Sequence, residues 1–280
     1  MTRRARWVTA ITAAALSLGA TALGSVPARD ALDPGIWKMI PPAAVTISGR
    51  LADPRLAEAS GAAVSSTDQG LIWTIDDSGN PPDLLATDTT GALRADFSIQ
   101  GATNVDWEEV AVGPCGASRC VYIADTGDNL ERRADVVIYR LPEPAVPSGP
   151  GVVRRSLDRV EALRFRYPDR AHDVEAMAVT PDGAVLLVTK GRSGGILLFR
   201  LGSESWASGR LAVATRRDSL PIVPSGGMGR EVTGMALSAD AQRVVIRTYR
   251  DLYLFGLSKD DRLTPLGPQV RRRLHFSQSR

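Results

Sequence analysis

A short motif that begins with an acidic residue occurs four times in the sequence. It reads EASGAAV from Glu58, DWEEVAV from Asp106, DVEAMAV from Asp173 and EVTGMAL from Glu231. In each copy an oxygen-bearing side chain follows two residues after the acid, and the motif ends in a small apolar run. The copies start roughly 50 to 65 residues apart, a spacing typical of propeller blades and other repeat units. We therefore expect four equivalent structural units.

Each copy of the motif is followed by a second apolar segment that ends in a charged residue. These segments end at Asp77, Asp125, Lys190 and Arg247. In a propeller blade the first strand lines the central channel and the second runs antiparallel to it, so the start of one and the end of the other lie on the same face. All these charged ends should therefore meet around one mouth of the channel.

Two further carboxylates join this group, because side chains two residues apart lie on the same side of a strand. Glu108 is paired in this way with Asp106, and Glu175 with Asp173. Such a concentration of carboxylates is unfavourable unless cations, protons or hydrogen bonds offset the repulsion. Many oxygen ligands and few histidines favour Ca²⁺ over Zn²⁺. The predicted calcium ligands are Glu58, Asp77, Asp106, Glu108, Asp125, Asp173, Glu175 and Glu231.

A structural role is the alternative for the same acids. Each could cap a loop or form an ion pair with Lys190, Arg247, Arg132 or Arg133, and so hold the blades in register. The sequence leaves both interpretations open. If an ion is bound, Lys190 and Arg247 at the mouth would suit a small anionic substrate that the cation bridges.

Sequence motifs for other catalytic machinery are missing. The chain has no GxSxG elbow of the strand-to-helix kind, and no HExxH or phosphate-binding GK[ST] motif. Of its two histidines, His275 lies near the C-terminus and His172 immediately precedes Asp173. His172 is therefore expected at the channel mouth, either as a general base or as an ordinary surface histidine with satisfied polar atoms.

The strand pattern predicts an all-β fold, a β-propeller of four recognisable blades with a fifth incomplete or missing. Outside residues 1–28 no window keeps the 3.6-residue apolar period of a long helix for three turns. Ala44–Leu51 alternates like a strand and is expected to close the last blade. Residues 268–280 lack both the motif and the alternation, so we place the propeller domain at 44–267 and an atypical basic tail at 268–280.

The N-terminus predicts export. Residues 1–28 combine three arginines, an apolar run and a small-residue cleavage site, as in a secretory signal peptide, and residues 29–43 form an irregular lead-in. Without the signal, the 34 Lys and Arg fall to 31, equal to the 31 Asp and Glu, because the segment holds three arginines and no acid. We therefore expect a secreted or cell-envelope monomer without a stable membrane span, whose balanced charge does not suit nucleic acid.

Cys115 and Cys120 are the two cysteines of the chain. In an exported protein, two cysteines this close in sequence are expected to form a disulfide across a hairpin loop. A metal site made of cysteines alone would need more ligands than these two. The predicted role is therefore a local crosslink.

Four segments carry a resemblance to a known group of proteins. They read WTIDDSG from Trp73, NVDWEEVA from Asn104, YIADTGDN from Tyr122 and IYRLPEP from Ile138. Together they resemble a family of exported bacterial β-propeller proteins of actinobacterial type. The acid-led inner strands also show a more distant similarity to calcium-dependent lactonase and gluconolactonase-like propellers and to esterase-like phytase propellers.

This similarity implies a calcium ion at the channel mouth and hydrolysis of small esters, lactones or phosphate esters. The chain departs from the pattern in two respects. Lys190 and Arg247 place cations among the acids, and the final blade expected from the close relatives, usually with another Glu, is not found. A non-enzymatic binding or scaffold propeller for a protein or envelope partner is therefore the alternative, which the missing nucleophile and the scarcity of histidine favour.

Overall fold

Alternating apolar residues along the chain produce strands rather than helices, and the strands assemble into four sheets. The computed structural model describes residues 48–223 and 229–266 and the backbone of Val270 and Arg271. Within these residues the helical turns are 3₁₀ segments, Pro54–Leu56 and Ser203–Ala207, and no helix is long and apolar enough to cross a membrane. The sheets form a four-bladed β-propeller, so the predicted fold is confirmed, and no fifth sheet occurs in the described parts of the chain.

The strands are numbered in chain order. The first are β1 (Ala59–Val64), β2 (Leu71–Asp76), β3 (Asp83–Asp88), β4 (Leu93–Ile99), β5 (Trp107–Cys115), β6 (Ser118–Asp125), β7 (Val136–Pro142), β8 (Val153–Leu157) and β9 (Glu161–Arg166). The remainder are β10 (Val174–Val179), β11 (Val185–Thr189), β12 (Ile196–Leu201), β13 (Ala212–Val213), β14 (Thr215–Leu220), β15 (Val232–Leu237), β16 (Arg243–Thr248), β17 (Asp251–Leu257), β18 (Leu263–Pro265) and β19 (Val270–Arg271). Blade one contains β1–β4, blade two β5–β7 and β9, blade three β10–β12 and β14, and blade four β15–β19.

Two short strands leave their own blade and extend the preceding one. β8 lies in the chain between β7 and β9 of blade two, but it pairs in parallel with β4 at the outer edge of blade one. β13 lies between two strands of blade three, but it pairs in parallel with β9 of blade two. The other described pairings are antiparallel. β8 and β13 therefore each tie two neighbouring blades together.

Apolar side chains fill the interfaces between successive blades. Trp73 and Trp107 lie between blades one and two, and Phe165 and Phe199 lie between blades two and three. Phe255 belongs to the cluster between blades three and four. Full burial of a large apolar side chain stabilises a fold by about 1.5–3 kcal/mol, so these clusters hold the blades in order. Among the described residues no apolar cluster joins blade four to blade one.

The inner strand of every blade contains an irregularity at the same place. In β1 the register with β2 slips by one residue between Ala59 and Ala62, and in β5 the same slip lies between Trp107 and Glu109. β10 and β15 repeat it at their own first residues. Such a β-bulge places two residues opposite one and interrupts the alternation of side chains. The rule that residues two apart share a side therefore fails at the start of each inner strand.

The described part of the N-terminal segment differs from the predicted closing strand. Residues 48–51 form no strand, and the N–H of Arg50 donates to the carbonyl of Thr90 in blade one at 2.9 Å. The prediction of a strand over Ala44–Leu51 is therefore wrong for these four residues, because they follow a loop of blade one. Residues 44–47, the signal segment 1–28 and the lead-in 29–43 lie outside the described residues. In the predicted tail, Val270 and Arg271 pair with β17.

The predicted disulfide is confirmed. Cys115 and Cys120 are bonded, with their Cα atoms 5.8 Å apart. The bridge closes the hairpin between β5 and β6, where Cys115 pairs with Ser118. It therefore crosslinks neighbouring strands of one blade, as expected for a local crosslink.

Gly61 in β1 packs directly against the backbone of β5. A Cβ atom at this position would lie 2.8 Å from the Cα of Glu109, and closer still to the backbone nitrogen of Val110. Because this backbone cannot move aside as a side chain can, we expect Gly61→Ala to lower the free energy of unfolding by about 1–3 kcal/mol. Gly195→Ala is the control, since its Cβ would meet Leu197 at 3.6 Å. Equal urea midpoints for the two variants would contradict this packing.

Candidate functional site

Three carboxylates converge at the start of the inner strand of blade two. Asp77 follows the end of β2, Asp106 immediately precedes β5, and Glu108 is the second residue of β5. One oxygen atom of each lies within 4.8 Å of the other two. Asp77 is exposed, Asp106 is half-buried and Glu108 is buried, so the set extends from the channel mouth inward. We call these three residues the outer carboxylate group.

The outer carboxylate group has no salt-bridge partner among the described residues, although the charges of Arg133 and Lys190 oppose the pKa shifts of Asp106 and Glu108. Burial raises the pKa of Asp106 to about 6, and the charge of Asp77 adds to the shift. Burial also raises the pKa of Glu108 well above its usual range, with the charge of Glu175 as the next cause. None of the three forms a salt bridge with a described residue. The group therefore keeps protons to a higher pH than ordinary carboxyl groups do, and a bound cation could replace them.

Gly127 lies directly beside two of these carboxylates. A Cβ atom on Gly127 would be 2.5 Å from Oδ2 of Asp106 and would also collide with Oε1 of Glu108. The N–H of Gly127 donates to the backbone carbonyl of Asp106 at 3.1 Å, which fixes this approach. Only a residue without a side chain leaves room here for both carboxylates. The backbone at Gly127 therefore forms one wall of the outer group.

A deeper set shares Glu108 and adds Asp173 and Glu175, again with one oxygen atom of each within 4.8 Å of the others. All three side chains are buried. Here cations accompany the acids, because Nζ of Lys190 forms a salt bridge with Glu175 and lies 3.8 Å from Oδ2 of Asp173. Nε of Arg192 lies 2.5 Å from the same Oδ2 atom. We call Glu108, Asp173 and Glu175 the inner carboxylate group.

Burial and charge act against each other in the inner group. Burial raises the pKa of Glu175 to about 7, although Lys190 opposes the shift. Burial disfavours the charge of Lys190, but the surrounding carboxylates, Glu175 first, outweigh it and raise the pKa of the lysine. Lys190 therefore stays protonated at neutral pH, whereas Glu175 can gain or lose a proton there.

Asp125 fits the structural alternative. It is 1% exposed, and its carboxylate accepts hydrogen bonds from the N–H groups of Val105 at 3.2 Å and Asp106 at 3.1 Å. Nη1 of Arg133 donates to the same carboxylate at 2.9 Å. Asp125 therefore anchors the loop that leads into β5, and its oxygens are already occupied.

The remaining predicted acids lie apart from both carboxylate groups. Glu58 is exposed and accepts a hydrogen bond from Nδ2 of Asn80 at 2.9 Å. Glu231 is half-buried. Burial, the largest influence on both neighbours, acts to lower the pKa of Arg192 and to raise that of Tyr249, and the charge of Glu231 acts to raise both values. The predicted ring of eight acids is thus divided into an outer group, an inner group and separate residues.

His172 does not occupy the exposed position expected from the sequence. It is 2% exposed, and its ring lies 5.1 Å from those of both Tyr167 and Phe199. Nε2 lies 2.9 Å from Oδ1 of Asp169. The histidine precedes the inner strand of blade three, where the chain turns it into the aromatic core between blades. Nε2 of His172 therefore has a hydrogen-bond partner, Asp169, but the ring is buried rather than at the surface.

Glu109 is a site residue that the sequence analysis did not select. The bulge in β5 sets Glu108 and Glu109 opposite one partner residue, so both side chains can lie on the channel side of the strand. Oε1 of Glu109 accepts from the N–H of Val110 at 3.0 Å, and Oε2 accepts from the N–H of Met235 at 3.1 Å. A further backbone hydrogen bond comes from Ala62. This single carboxyl group therefore connects β1, β5 and β15.

The repeated motif itself distinguishes Glu109 from its counterparts. The fourth residue of the motif is Gly61, Glu109, Ala176 and Gly234 in the four copies. Three copies thus have a small residue where blade two has a long carboxylate. A Cβ on Gly234 would already approach Oε2 of Glu109 to 3.2 Å. The small residues leave the volume that Glu109 fills.

Arg247, predicted as a contact for an anionic substrate, belongs to the surroundings of Glu109. Burial lowers the pKa of Arg247, and the charge of Glu109 is the first influence that opposes this shift. Burial raises the pKa of Glu109 to about 8 despite its backbone hydrogen bonds and the charge of Arg247. Nε of Arg247 is buried and has no hydrogen-bond partner among the described residues. Lys190 is likewise buried, so neither predicted cation is free at the mouth.

Comparison with solved structures finds β-propeller proteins of low sequence identity. An auxiliary nutrient-binding protein from Bacteroides thetaiotaomicron is 13% identical, with 77% of this chain and 43% of that chain covered at a TM-score of 0.43. Virginiamycin B lyase from Staphylococcus aureus is 13% identical, with coverages of 78% and 58% at a TM-score of 0.41. A gluconolactonase from Xanthomonas campestris is 16% identical, with coverages of 76% and 61% at a TM-score of 0.42.

The chain thus spans about half the length of these solved proteins. No protein-family model matches the sequence, and the comparison with curated proteins finds no match.

The buried carboxyl of Glu109 makes stability depend on pH. Its pKa in the fold, about 8, lies above its ordinary value of 4.5, so the fold favours the neutral form. This contribution is full below pH 4.5 and is lost as the pH rises through about 8. Between pH 5 and pH 9, in chelator, the wild type should lose about 4 kcal/mol more unfolding free energy than Glu109→Gln.

The control for this measurement is Glu161→Gln, at a glutamate whose side chain is 58% exposed. It should keep the pH dependence of the wild type. Parallel wild-type and Glu109→Gln profiles in urea unfolding would show that Glu109 does not titrate in this window.

Proposed function

We propose that this chain is an exported calcium-binding β-propeller that hydrolyses a small anionic ester, lactone or phosphate ester. The ion would be held by Asp77, Asp106 and Glu108. The observation that carries the proposal is the convergence of three carboxyl groups without a salt-bridge partner, whose oxygens lie within 4.8 Å of one another. A divalent cation with several oxygen ligands offsets such repulsion directly.

The charge balance supports the outer group rather than the inner one. Asp173 and Glu175 already have Arg192 and Lys190 as partners, and Asp125 has Arg133. A second divalent ion among them would bring positive charge against Lys190. The proposal therefore retains three of the eight acids predicted from the sequence as ligands, and assigns the ion-paired ones to structure.

The type of ligand supports calcium. Carboxylate oxygens are hard ligands, and Ca²⁺ accepts six to eight oxygens in flexible geometry, including backbone carbonyls and waters. Asp77 is exposed, so the outer group is open to solvent on one side and leaves room for further ligands. Calcium bound there would supply positive charge that polarises a carbonyl or phosphoryl oxygen of the substrate.

The residues next to the outer group can contribute proton transfer. Glu175 has a pKa raised to about 7 by burial, and it belongs to the inner group together with Glu108. A carboxyl group that gains or loses a proton near neutral pH suits general acid–base catalysis. Lys190 keeps Glu175 in place through their salt bridge.

Export is supported by the disulfide between Cys115 and Cys120. Disulfides form and persist in oxidising compartments and are rare in the cytosol. The disulfide agrees with the signal peptide expected over residues 1–28. Calcium is also abundant enough in extracellular spaces to occupy a surface site of modest affinity.

A non-enzymatic binding propeller is the second candidate function. The observation that favours it is the position of His172, which is buried against Tyr167 and Phe199 instead of serving as a base at the mouth. In this case the ion would have a structural role at the channel mouth, and the propeller would bind a protein or envelope partner.

Calcium should stabilise the fold through the outer group. At a free concentration one hundred times its dissociation constant, a ligand specific for the folded state adds about 2.7 kcal/mol to the unfolding free energy. The rise in melting temperature should be larger at pH 7.5 than at pH 5, because protons compete for Asp106 below its pKa of about 6. Differential scanning calorimetry in calcium and in chelator measures both effects.

Three variants locate this stabilisation. Asp106→Asn should abolish most of the calcium-dependent shift, and so should Gly127→Ala, which places a methyl group between the carboxylates without removing an acid. Asp88→Asn, at the last residue of β3, should keep the shift. If calcium and chelator give the same melting temperature for the wild type, and elemental analysis finds no bound ion, the calcium proposal is wrong.

Hydrolysis is tested with lactones, aryl esters and phosphate esters as substrates of the purified mature protein. We expect turnover of at least one class in calcium, and a loss of about tenfold or more in chelator or in Asp106→Asn, because the charge on the developing oxyanion is then unopposed. Asp88→Asn should retain the activity. Calcium binding without turnover of any substrate above the Asp106→Asn background would favour the binding propeller instead.

A further inference from the structure

A cavity lies on blade two at the same end as the channel mouth. Its volume is about 290 Å³, and its lining includes the arginines Arg132, Arg133, Arg166 and Arg170. Four arginines in one small cavity require an explanation, because like charges repel and each guanidinium is permanently protonated. We call this space the arginine cavity.

The topology of blade two brings these arginines together. Arg132 and Arg133 precede β7, whereas Arg166 ends β9 and Arg170 follows it. β7 and β9 are antiparallel neighbours, with Val136 paired to Phe165, so the start of one meets the end of the other. β7 also starts beside the end of β6, at the end of the sheet where Asp125 lies. The arginine cavity is therefore fixed to the same rigid sheet as the outer carboxylate group.

The acids around the cavity are already occupied. Glu131 pairs with Arg170 at 2.6 Å, and Asp135 pairs at 2.8 Å with Arg164, which does not line the cavity. Asp169 contacts His172 at 2.9 Å. None of these carboxylates lies within salt-bridge distance of Arg132 or Arg166.

Two arginines of the lining therefore carry unpaired charge. Arg133 is engaged with Asp125 at 2.9 Å and with the carbonyl of Gly127 at 2.8 Å. Arg132 and Arg166 have no acidic partner within salt-bridge distance in the part of the chain that the structure describes. Both are exposed, so a ligand from solvent can reach them. The cavity thus presents two guanidinium groups without a salt bridge. A third, Arg170, forms a partly exposed salt bridge with Glu131.

Tyr167 also lines the cavity, and its hydroxyl group is an unused hydrogen-bonding group next to it. Tyr167 is 4% exposed, and its Oη atom has no hydrogen-bond partner among the described residues. A buried hydroxyl without a partner costs free energy, which a bound acceptor or a bridging water recovers. The observation is independent of the arginine charges.

We propose that the arginine cavity binds a small oxyanion, the phosphate or carboxylate group of a ligand, through Arg132 and Arg166 with Arg170 beside them. Planar guanidinium groups bind both groups through paired hydrogen bonds. This assignment does not depend on the proposed calcium site. It also replaces Lys190 and Arg247 as the anion contacts, because Lys190 is buried in salt bridges with acids and Nε of Arg247 is buried.

The test is isothermal titration of the purified protein with inorganic phosphate and, separately, with succinate, after calcium has been removed on a chelating resin. Chelation excludes a bridging calcium ion, so this proposal and the calcium proposal can fail separately. We expect binding of at least one anion, weakened by added salt because the contacts are ionic. The preferred anion distinguishes a phosphate ligand from a carboxylate ligand.

Variants show where the anion binds. The double variant Arg132→Gln, Arg166→Gln should lower the affinity by about tenfold or more, since hydrogen bonds to charged groups are lost. The control is Arg216→Gln, Arg243→Gln, which removes two exposed arginines of blades three and four and should leave the affinity unchanged. Melting curves confirm that both proteins are folded.

Two results would overturn the proposal. One is the absence of heat and of a melting shift with either anion in the wild type. The other is equal affinity in the wild type and in the Arg132→Gln, Arg166→Gln variant, which would place any anion elsewhere. A single Arg166→Gln variant with intermediate affinity would support a site shared between the two arginines.

Discussion

A buried carboxyl group at the centre of the ring is the constraint on which the rest of the structure depends. Glu109 accepts hydrogen bonds from the backbone of three inner strands, in blades one, two and four. Apolar clusters join the other neighbouring blades, but none of the described clusters joins blade four to blade one. Hydrogen bonds in a low-dielectric interior are strong, and losing a partner there is costly. Glu109 therefore fixes the inner strands against which the carboxylates of the mouth are positioned.

The mouth itself is divided by charge. Lys190 and Arg192 neutralise the acids that begin blade three, and Arg133 neutralises the acid that ends β6. The carboxylates between blades one and two receive no such partner from the described residues. This asymmetry explains why a fourfold sequence repeat does not produce a fourfold site. It also places excess negative charge beside a cavity with excess positive charge, both fixed to the sheet of blade two.

The sequence predicted the features that depend on local pattern and on topology. The four blades followed from the repeated motif, and the meeting of Asp77, Asp106 and Glu108 followed from the antiparallel order within a blade. The β-bulges were not predicted, because the extra residue has no distinctive type, and without them Glu109 is assigned to the wrong side. Arg192 lies beyond Lys190, the predicted end of the strand, so its pairing with Asp173 depends on a loop conformation that periodicity does not encode.

The exchanged strands β8 and β13 have a consequence for how the protein unfolds and evolves. Each covers the outer edge of the preceding blade, where unpaired N–H and C=O groups would otherwise recruit other chains. A repeat protein whose units touch only through faces can lose a terminal unit and keep the others. Here, detaching blade two also uncovers the edge of blade one, and detaching blade three uncovers that of blade two. The first three blades are therefore a single cooperative unit. Duplication or deletion of one blade alone would leave an edge strand with unpaired backbone N–H and C=O groups.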